Sequence, residues 1–176
     1  MNIKQITKCA IFCALICVGA LIKIPVPNIP ITMQMFCVFL AAILLKPVEA
    51  LFCVGVYIFL GLAGLPIFAS GGGMGYVLNP SFGYILGFLP GVFFGAKSSV
   101  ACDTKSSIIK SLVICLFLVY AVGISYFCVI SRFVMGVDIS FEYIIKICIL
   151  LMLPGDVLSA FFAVVVAKRL KRSGVM

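Results

Sequence analysis

Asp156 is the residue best placed to do chemistry, because it lies inside an apolar stretch directly after Pro154 and Gly155. A carboxylate at the centre of a transmembrane helix costs about 2.5–3.5 kcal/mol on insertion scales, so such a residue is expected to be functional. Pro154 has no N–H, which frees a backbone carbonyl beside the carboxylate. We interpret Asp156 as a ligand-binding group. The alternative is a structural ion pair, for which Lys146 is a candidate partner.

Four weaker candidates are the polar residues Gln34, Asn79, Tyr84 and Ser159. Each side chain can either contact a ligand or satisfy a hydrogen bond between helices, and the sequence leaves both roles open. General acid–base catalysis needs a second titrating partner beside the acid. The sequence has no histidine and only one acid well inside an apolar span, so we do not expect an enzyme.

The segment from Leu65 to Pro80 is rich in glycine and interrupts a long uncharged stretch. No charged residue occurs in the 47 positions from Ala50 to Ala96. One membrane span needs about 20 apolar residues, so this stretch holds two spans and a connection. Irregular backbone at membrane depth must face protein or a water-filled cavity. We therefore predict that the connection forms a wall or lid of a ligand site.

The composition excludes an ordinary soluble domain, since 65% of the residues are hydrophobic and only 10% are charged. These values predict an all-α, polytopic membrane protein with residues 1–176 forming one domain. The net charge of +8 is interpreted as basic cytoplasmic loops and not as a nucleic-acid surface. The nine cysteines form no CxxC pair and have no histidine beside them, so packing is expected and a metal site is not.

The apolar stretches predict six spans, and the distribution of basic residues predicts that both termini lie in the cytoplasm. With that orientation, ten of the 13 lysines and arginines lie on the cytoplasmic side and three lie outside. Such an excess of basic residues marks the cytoplasmic loops of membrane proteins. The predicted spans are Ile3–Ile22, Thr32–Leu45, Val48–Gly64, Ser81–Ala96, Ile108–Ser131 and Tyr143–Ala167.

Small residues recur at four-residue spacing on two of the predicted helices. Gly83, Gly87, Gly91 and Gly95 form one stripe on the fourth span, and the pair Ala10 and Ala14 forms another on the first. Such stripes let a neighbouring helix approach closely. We expect the glycine stripe to pack inside the protein. The alanine pair fits either internal packing or a contact with another protein.

Residues 91–98 nearly match a phosphate-binding loop. However, Ala96 stands where the motif requires glycine, and the residues end a predicted membrane helix instead of following a strand. We therefore expect no nucleotide and no cofactor on this chain. Any ATP-driven work requires another polypeptide.

Several motifs together resemble the BioY family, the biotin-binding S components of energy-coupling-factor (ECF) transporters. The resemblance covers nearly the whole chain and implies six helices, capture of biotin from outside the cell and residence in the cell membrane. It also implies assembly with a transmembrane coupling subunit and two ATPases. The motifs are Pro30-Ile-Thr-x-Gln34, Gly64-Leu-Pro-Ile-Phe68 with the glycine run, Gly75-Tyr76, Pro80-x-x-Gly83-Tyr84-x-x-Gly87-Phe88 and Leu153-Pro-Gly-Asp156.

The resemblance and the chemistry of biotin together suggest roles for individual residues. The two adjacent N–H groups of the cyclic urea suit the carboxylate of Asp156. Free backbone N–H groups in the glycine loop, at Gly71, Gly72 and Gly73, suit the carboxylate of the ligand. In S components, an alanine pair at the place of Ala10 and Ala14 contacts the coupling subunit.

Two positions depart from the family pattern. Ser159 stands three residues after the aspartate, where the family usually has lysine, and Ser81-Phe82 replaces a common Thr-Gly pair.

The alternative function is a self-sufficient secondary transporter or channel for another small solute. A membrane scaffold without a ligand is disfavoured by Asp156 and by the glycine-rich loop.

Overall fold

The computed structural model describes residues 2–24, 30–100, 105–134, 136, 142 and 144–173. The predicted orientation puts the connections at residues 23–34 and 65–80 outside, and we call them the first and second outer connections. Residues 25–29 of the first connection lie outside the described residues, as do Asp138 and Tyr143, the predicted start of the last span. Residues 1 and 174–176 of the predicted domain also lie outside them.

Six α-helices make up most of the described chain, which confirms the predicted all-α class and the number of helices. Their orientation relative to the membrane stays a prediction. Three helical stretches are long and apolar enough to cross a membrane, namely Ile3–Leu21, Ser106–Phe133 and Cys148–Arg172. The helices are α1 (Ile3–Leu21), α2 (Gln34–Leu44), α3 (Pro47–Leu62), α4 (Phe82–Val100), α5 (Lys105–Phe133) and α6 (Leu153–Arg172).

The last helix differs from its prediction. A π-helical segment spans Ile144–Leu150, and α6 begins only at Leu153 and continues to Arg172. Pro154 explains this start, because its missing N–H is tolerated in the first turn of a helix but not in the interior. Asp156 consequently lies in the first turn of α6, within the apolar helical stretch Cys148–Arg172.

Helix α2 is enclosed by the other five helices and forms the centre of the bundle. Nine of its eleven residues are buried, including Gln34 at its first position. A helix that is apolar all round is expected in such an interior position.

The glycine stripe of α4 packs against α5, as predicted. A Cβ built at Gly83 would lie 2.3 Å from the Cβ of Tyr126, and one at Gly87 would lie 2.9 Å from the backbone of Val119. Only glycine allows the two helices to approach so closely. The stripe therefore fixes the distance between α4 and α5.

The two outer connections are folded and touch each other. In the first, β1 (Lys23–Ile24) pairs antiparallel with β2 (Ile31–Thr32). In the second, a 3₁₀ segment covers Met74–Leu78. The Lys23 Nζ donates a hydrogen bond to the carbonyl of Ala69 and so joins the hairpin to the glycine-rich connection.

An aromatic cluster holds the glycine-rich connection in place. Phe68 is 1% exposed, and its ring lies 4.7 Å from that of Tyr76 and 5.4 Å from that of Tyr57. Gly61 leaves the space for this ring, since a Cβ there would lie 2.1 Å from it. The segment predicted as a wall or lid is thus a packed part of the protein. Tyr126 adds a hydrogen bond from its hydroxyl to the carbonyl of Val77.

Candidate functional site

A cavity lies between the outer connections and the helices, with about 560 Å³ of free space including its mouth. Residues of β2, α2, the 3₁₀ segment, α4, α5 and α6 line it. The apolar part of the wall includes Met35, Ile85, Phe88, Val119 and Met152.

Asp156 lines this cavity and is hydrogen-bonded to a residue that the sequence analysis missed. The Tyr120 hydroxyl donates to Asp156 Oδ2 over 2.6 Å. The first turn of a helix also favours a carboxylate, because the helix dipole is positive there. The only sequence signal for Tyr120 is a hydroxyl-bearing ring within an uncharged span.

The alternative role for Asp156, an ion pair with Lys146, is wrong. The Lys146 Nζ lies 2.6 Å from Glu142 Oε1, one helical turn earlier in the chain. Both of these side chains are mostly exposed. Asp156 instead faces the cavity, and its described partner is the neutral Tyr120 hydroxyl.

Gln34 and Tyr84 also line the cavity and bring polar atoms that are not satisfied. They are 3% and 7% exposed. Among the described groups, neither Gln34 Nε2, beside the Tyr57 hydroxyl, nor the Tyr84 hydroxyl, beside the Cys148 thiol, has a hydrogen-bond partner of good geometry. A buried polar group left in this state costs about 1–3 kcal/mol. A ligand that supplies acceptors to both groups would remove this cost.

The position of Tyr84 depends on a glycine in the facing helix. A Cβ built at Gly123 of α5 would lie 2.6 Å from Cδ1 of the Tyr84 ring. The Tyr84 ring also meets that of Tyr120 edge to face, with centroids 6.0 Å apart. Tyr84, Tyr120 and Asp156 are thus held together by the contact between α4, α5 and α6.

Asn79 does not line the cavity but supports residues that do. Its Oδ1 accepts hydrogen bonds from the Ser81 N–H over 3.0 Å and from the Ser81 hydroxyl over 2.8 Å. Ser81 Oγ lies 3.3 Å from the Tyr76 hydroxyl, and both Ser81 and Tyr76 line the cavity. Phe82 packs in the aromatic cluster, with its ring centroid 6.1 Å from that of Phe68 and 6.2 Å from that of Tyr76.

The glycines predicted to receive an anion are not in the cavity wall. The Gly71 N–H donates to the Phe68 carbonyl over 3.1 Å, and the Gly73 N–H donates to the Gly61 carbonyl over 2.7 Å. The expectation that these two N–H groups are free is therefore wrong. Gly71 and Gly73 instead have φ angles of 122° and 95°, which glycine adopts without strain.

Gly72 allows the loop backbone to approach Leu65 closely. A Cβ there would lie 2.1 Å from the carbonyl oxygen of Leu65, so a side chain is excluded.

Ser159 is half-buried on α6 and does not line the cavity.

Ala10 and Ala14 are exposed on the outer face of α1. The inner face of the same helix buries Phe12 and Ile16, which are 2% and 0% exposed. Internal packing of the alanine pair, one of the two predicted possibilities, is therefore wrong.

The polar groups around the cavity include both hydrogen-bond acceptors and hydrogen-bond donors. Asp156 offers hydrogen-bond acceptors, while Gln34 Nε2 and the Tyr84 hydroxyl offer donors. Among the described lining residues, Asp156 is the single charged one. The site can therefore bind a mostly apolar molecule that presents N–H donors next to a carbonyl acceptor.

Known proteins with a similar sequence are biotin transporters. The chain is 37% identical over 163 residues to the "Probable biotin transporter BioY" of Lysinibacillus sphaericus, covering 92% of this chain and 83% of that protein. It is 38% identical over 122 residues to the biotin transporter BioY of Thermotoga maritima, covering 69% and 72% respectively.

A solved structure has the same fold. The S-component for biotin from an ECF-type ABC transporter matches with a TM-score of 0.79 and 27% sequence identity, covering 97% of this chain and 92% of that one. The family model described as the BioY family matches residues 1–174. With a family match over nearly the whole chain and relatives of this identity, the chain belongs to the BioY family.

Proposed function

We propose that this chain binds biotin and mediates its uptake as the substrate-specific subunit of an ECF-type importer in the cell membrane. The observation that carries the proposal is the set of polar groups in the cavity. One carboxylate acceptor and two unsatisfied donors, on Asp156, Gln34 and Tyr84, meet in an otherwise apolar wall. Membership of the BioY family and the fold of a biotin S-component support the same function.

Biotin matches these groups one by one. The two N–H groups of its cyclic urea donate to Asp156, and one of them replaces the hydrogen bond from Tyr120 or shares the carboxylate with it. The urea carbonyl accepts from Gln34 Nε2 or from the Tyr84 hydroxyl. The fused ring and the aliphatic tail lie against apolar residues such as Phe88 and Val119, which lower the dielectric around the charged hydrogen bonds.

The remaining predicted site residues lie outside the cavity wall and support the residues that contact biotin. Asn79 positions Ser81, and the glycines Gly71, Gly72 and Gly73 give the outer wall its shape. Ser159 lies one turn beyond Asp156 and outside the cavity wall, so we assign it no contact with the ligand.

Transport requires partners that this chain does not include. We assign the exposed Ala10 and Ala14 face of α1 to the transmembrane coupling subunit. Two ATPase subunits hydrolyse ATP, so the chain itself is a transporter component and not an enzyme. This arrangement has both termini in the cytoplasm and the cavity open to the outside.

Binding is tested by thermal unfolding of the purified protein with a panel of vitamins. A ligand that binds only the folded state raises the free energy of unfolding, by about 2.7 kcal/mol at a hundred times its Kd. We expect a saturable rise in Tm with biotin alone. A rise with a different vitamin and none with biotin would overturn the proposal.

Asp156→Asn locates the binding site in the same assay. Loss of a charged acceptor should weaken biotin binding by about 1.5–3 kcal/mol, because hydrogen bonds to charged groups contribute that much. Ser159→Lys on the same helix is the matched comparison, and its effect should stay within about fivefold, as for a partly exposed charge. Equal affinity of Asp156→Asn and the wild type would show that Asp156 is structural.

A further inference from the structure

The cavity described above lacks a partner for one part of the proposed ligand. Biotin carries a carboxylate at the end of its tail, while the single charged residue among the described lining residues is itself acidic. The N–H groups of Gly71 and Gly73 are already donated within the loop. The described lining residues thus offer no cation to the tail carboxylate, and a cation beside the cavity would complete the site.

Lys23 is exposed and contacts the cavity wall from outside. In the antiparallel pair of β1 and β2 it stands directly opposite Thr32, which lines the cavity. Residues directly opposite in such a pair place their side chains on the same face. The Lys23 Nζ donates to the carbonyl of Ala69, and Ala69 also lines the cavity. The hydrogen bond to the Ala69 carbonyl puts the ammonium group beside the cavity wall, and the pairing with Thr32 puts the Lys23 side chain on the same face of the strand pair as that of Thr32.

We propose that Lys23 binds the carboxylate of the ligand and makes the site selective for ligands with an anionic tail. This inference rests on the proposed function and extends it. An ammonium group has three donors, so Nζ keeps its bond to Ala69 and still donates to a carboxylate. Hydrogen bonds between two charged groups are about twice as strong as neutral ones.

The opposite charges of Lys23 and Asp156 then determine which way the ligand enters. Asp156 repels the tail carboxylate and attracts the urea N–H groups, whereas Lys23 does the reverse. Lys23 belongs to the first outer connection and Asp156 belongs to α6. Both of these elements contribute residues to the cavity wall. The hairpin and α6 are neighbours, since Ile31 Cγ2 would lie 3.6 Å from a Cβ built at Gly155.

The test compares biotin with biotinamide, in which an uncharged amide replaces the carboxylate. Dissociation constants of both ligands are measured for the wild type, Lys23→Gln, Lys23→Arg and the control Lys146→Gln. Lys146 has the same charge but pairs with Glu142. We expect Lys23→Gln to weaken biotin binding by about tenfold or more, as for loss of a charge-assisted hydrogen bond. It should leave biotinamide binding unchanged, and Lys23→Arg should retain most of the biotin affinity.

Three results would overturn the inference. Equal weakening of biotin and biotinamide by Lys23→Gln would show that Lys23 only joins the two outer connections. Unchanged affinity for both ligands would show that it has no role in binding. A loss specific to biotin in Lys146→Gln as well would point to the overall charge of the protein. If wild-type protein binds neither ligand, the proposed function itself fails, and the inference fails with it.

Discussion

The glycine stripe of α4 and the alanine pair of α1 have the same four-residue spacing but opposite surroundings. Gly87 lies against the backbone of Val119, where a Cβ would be 2.9 Å away. Ala10 and Ala14, by contrast, are exposed on the outside of the bundle. One stripe has its partner helix within the chain, and the other has none among the residues that the structure describes.

The difference shows that small-residue spacing indicates a close helix contact without saying which helix makes it. The approach of two helices depends on the size of the side chains between them, whether or not the helices belong to one chain. Exposure in the folded protein separates the two cases. We therefore infer that the glycine stripe stabilises the fold and that the alanine face serves assembly.

Ala14→Trp should have the largest effect on transport and little effect on the isolated protein. A large side chain on the exposed face should prevent association with the coupling subunit and abolish ATP-dependent biotin uptake, while the affinity of the purified variant for biotin stays unchanged. Co-purification with the coupling subunit, uptake and affinity are the measurements.

Ala20→Trp is the control for Ala14→Trp, because it makes the same change on the same helix at a residue that is 0% exposed. It should unfold or strongly destabilise the isolated protein, since overpacking a core costs about 1–3 kcal/mol and sometimes more. If Ala14→Trp instead lost biotin affinity but still assembled with the coupling subunit, the alanine face of α1 would serve internal packing and not assembly.

The same substitution at two helical glycines should change stability in opposite directions. Gly87→Ala places a methyl group against the backbone of Val119 and should lower the free energy of unfolding by about 1–3 kcal/mol. Gly55 of α3 has no atom within 4 Å of an added Cβ. Gly55→Ala should therefore raise stability by about 0.5–1 kcal/mol, the usual difference between these residues in a helix. Denaturation in detergent measures both, and equal effects would disprove tight packing at Gly87.

Gly123→Ala should have the smallest effect and should act on the site. The added methyl group meets the Tyr84 ring, which has to rotate away from its present position. An off-rotamer side chain costs about 0.5–1.5 kcal/mol, so biotin affinity should fall by roughly twofold to tenfold. Titration of the purified variant with biotin measures this. Unchanged affinity would mean that the position of Tyr84 does not matter for binding.

The sequence alone determined the fold class and most helix positions, because long apolar stretches and breaks at proline and glycine are local signals. It also identified Asp156, Gln34 and Tyr84, which the structure brings to one cavity although they are far apart in the chain. The start of α6 was not predicted, since Pro154 is compatible either with a kink in a long helix or with the first turn of a new one.

Only the tertiary structure determined how the remaining groups are arranged. The sequence does not show that the N–H groups of Gly71 and Gly73 are used inside their loop, or that Tyr120 reaches Asp156. It likewise gives no reason to place Lys23 beside Ala69, 46 residues away. These contacts depend on how two connections and three helices pack together in space, and such long-range distances are not encoded in the local pattern of residue types.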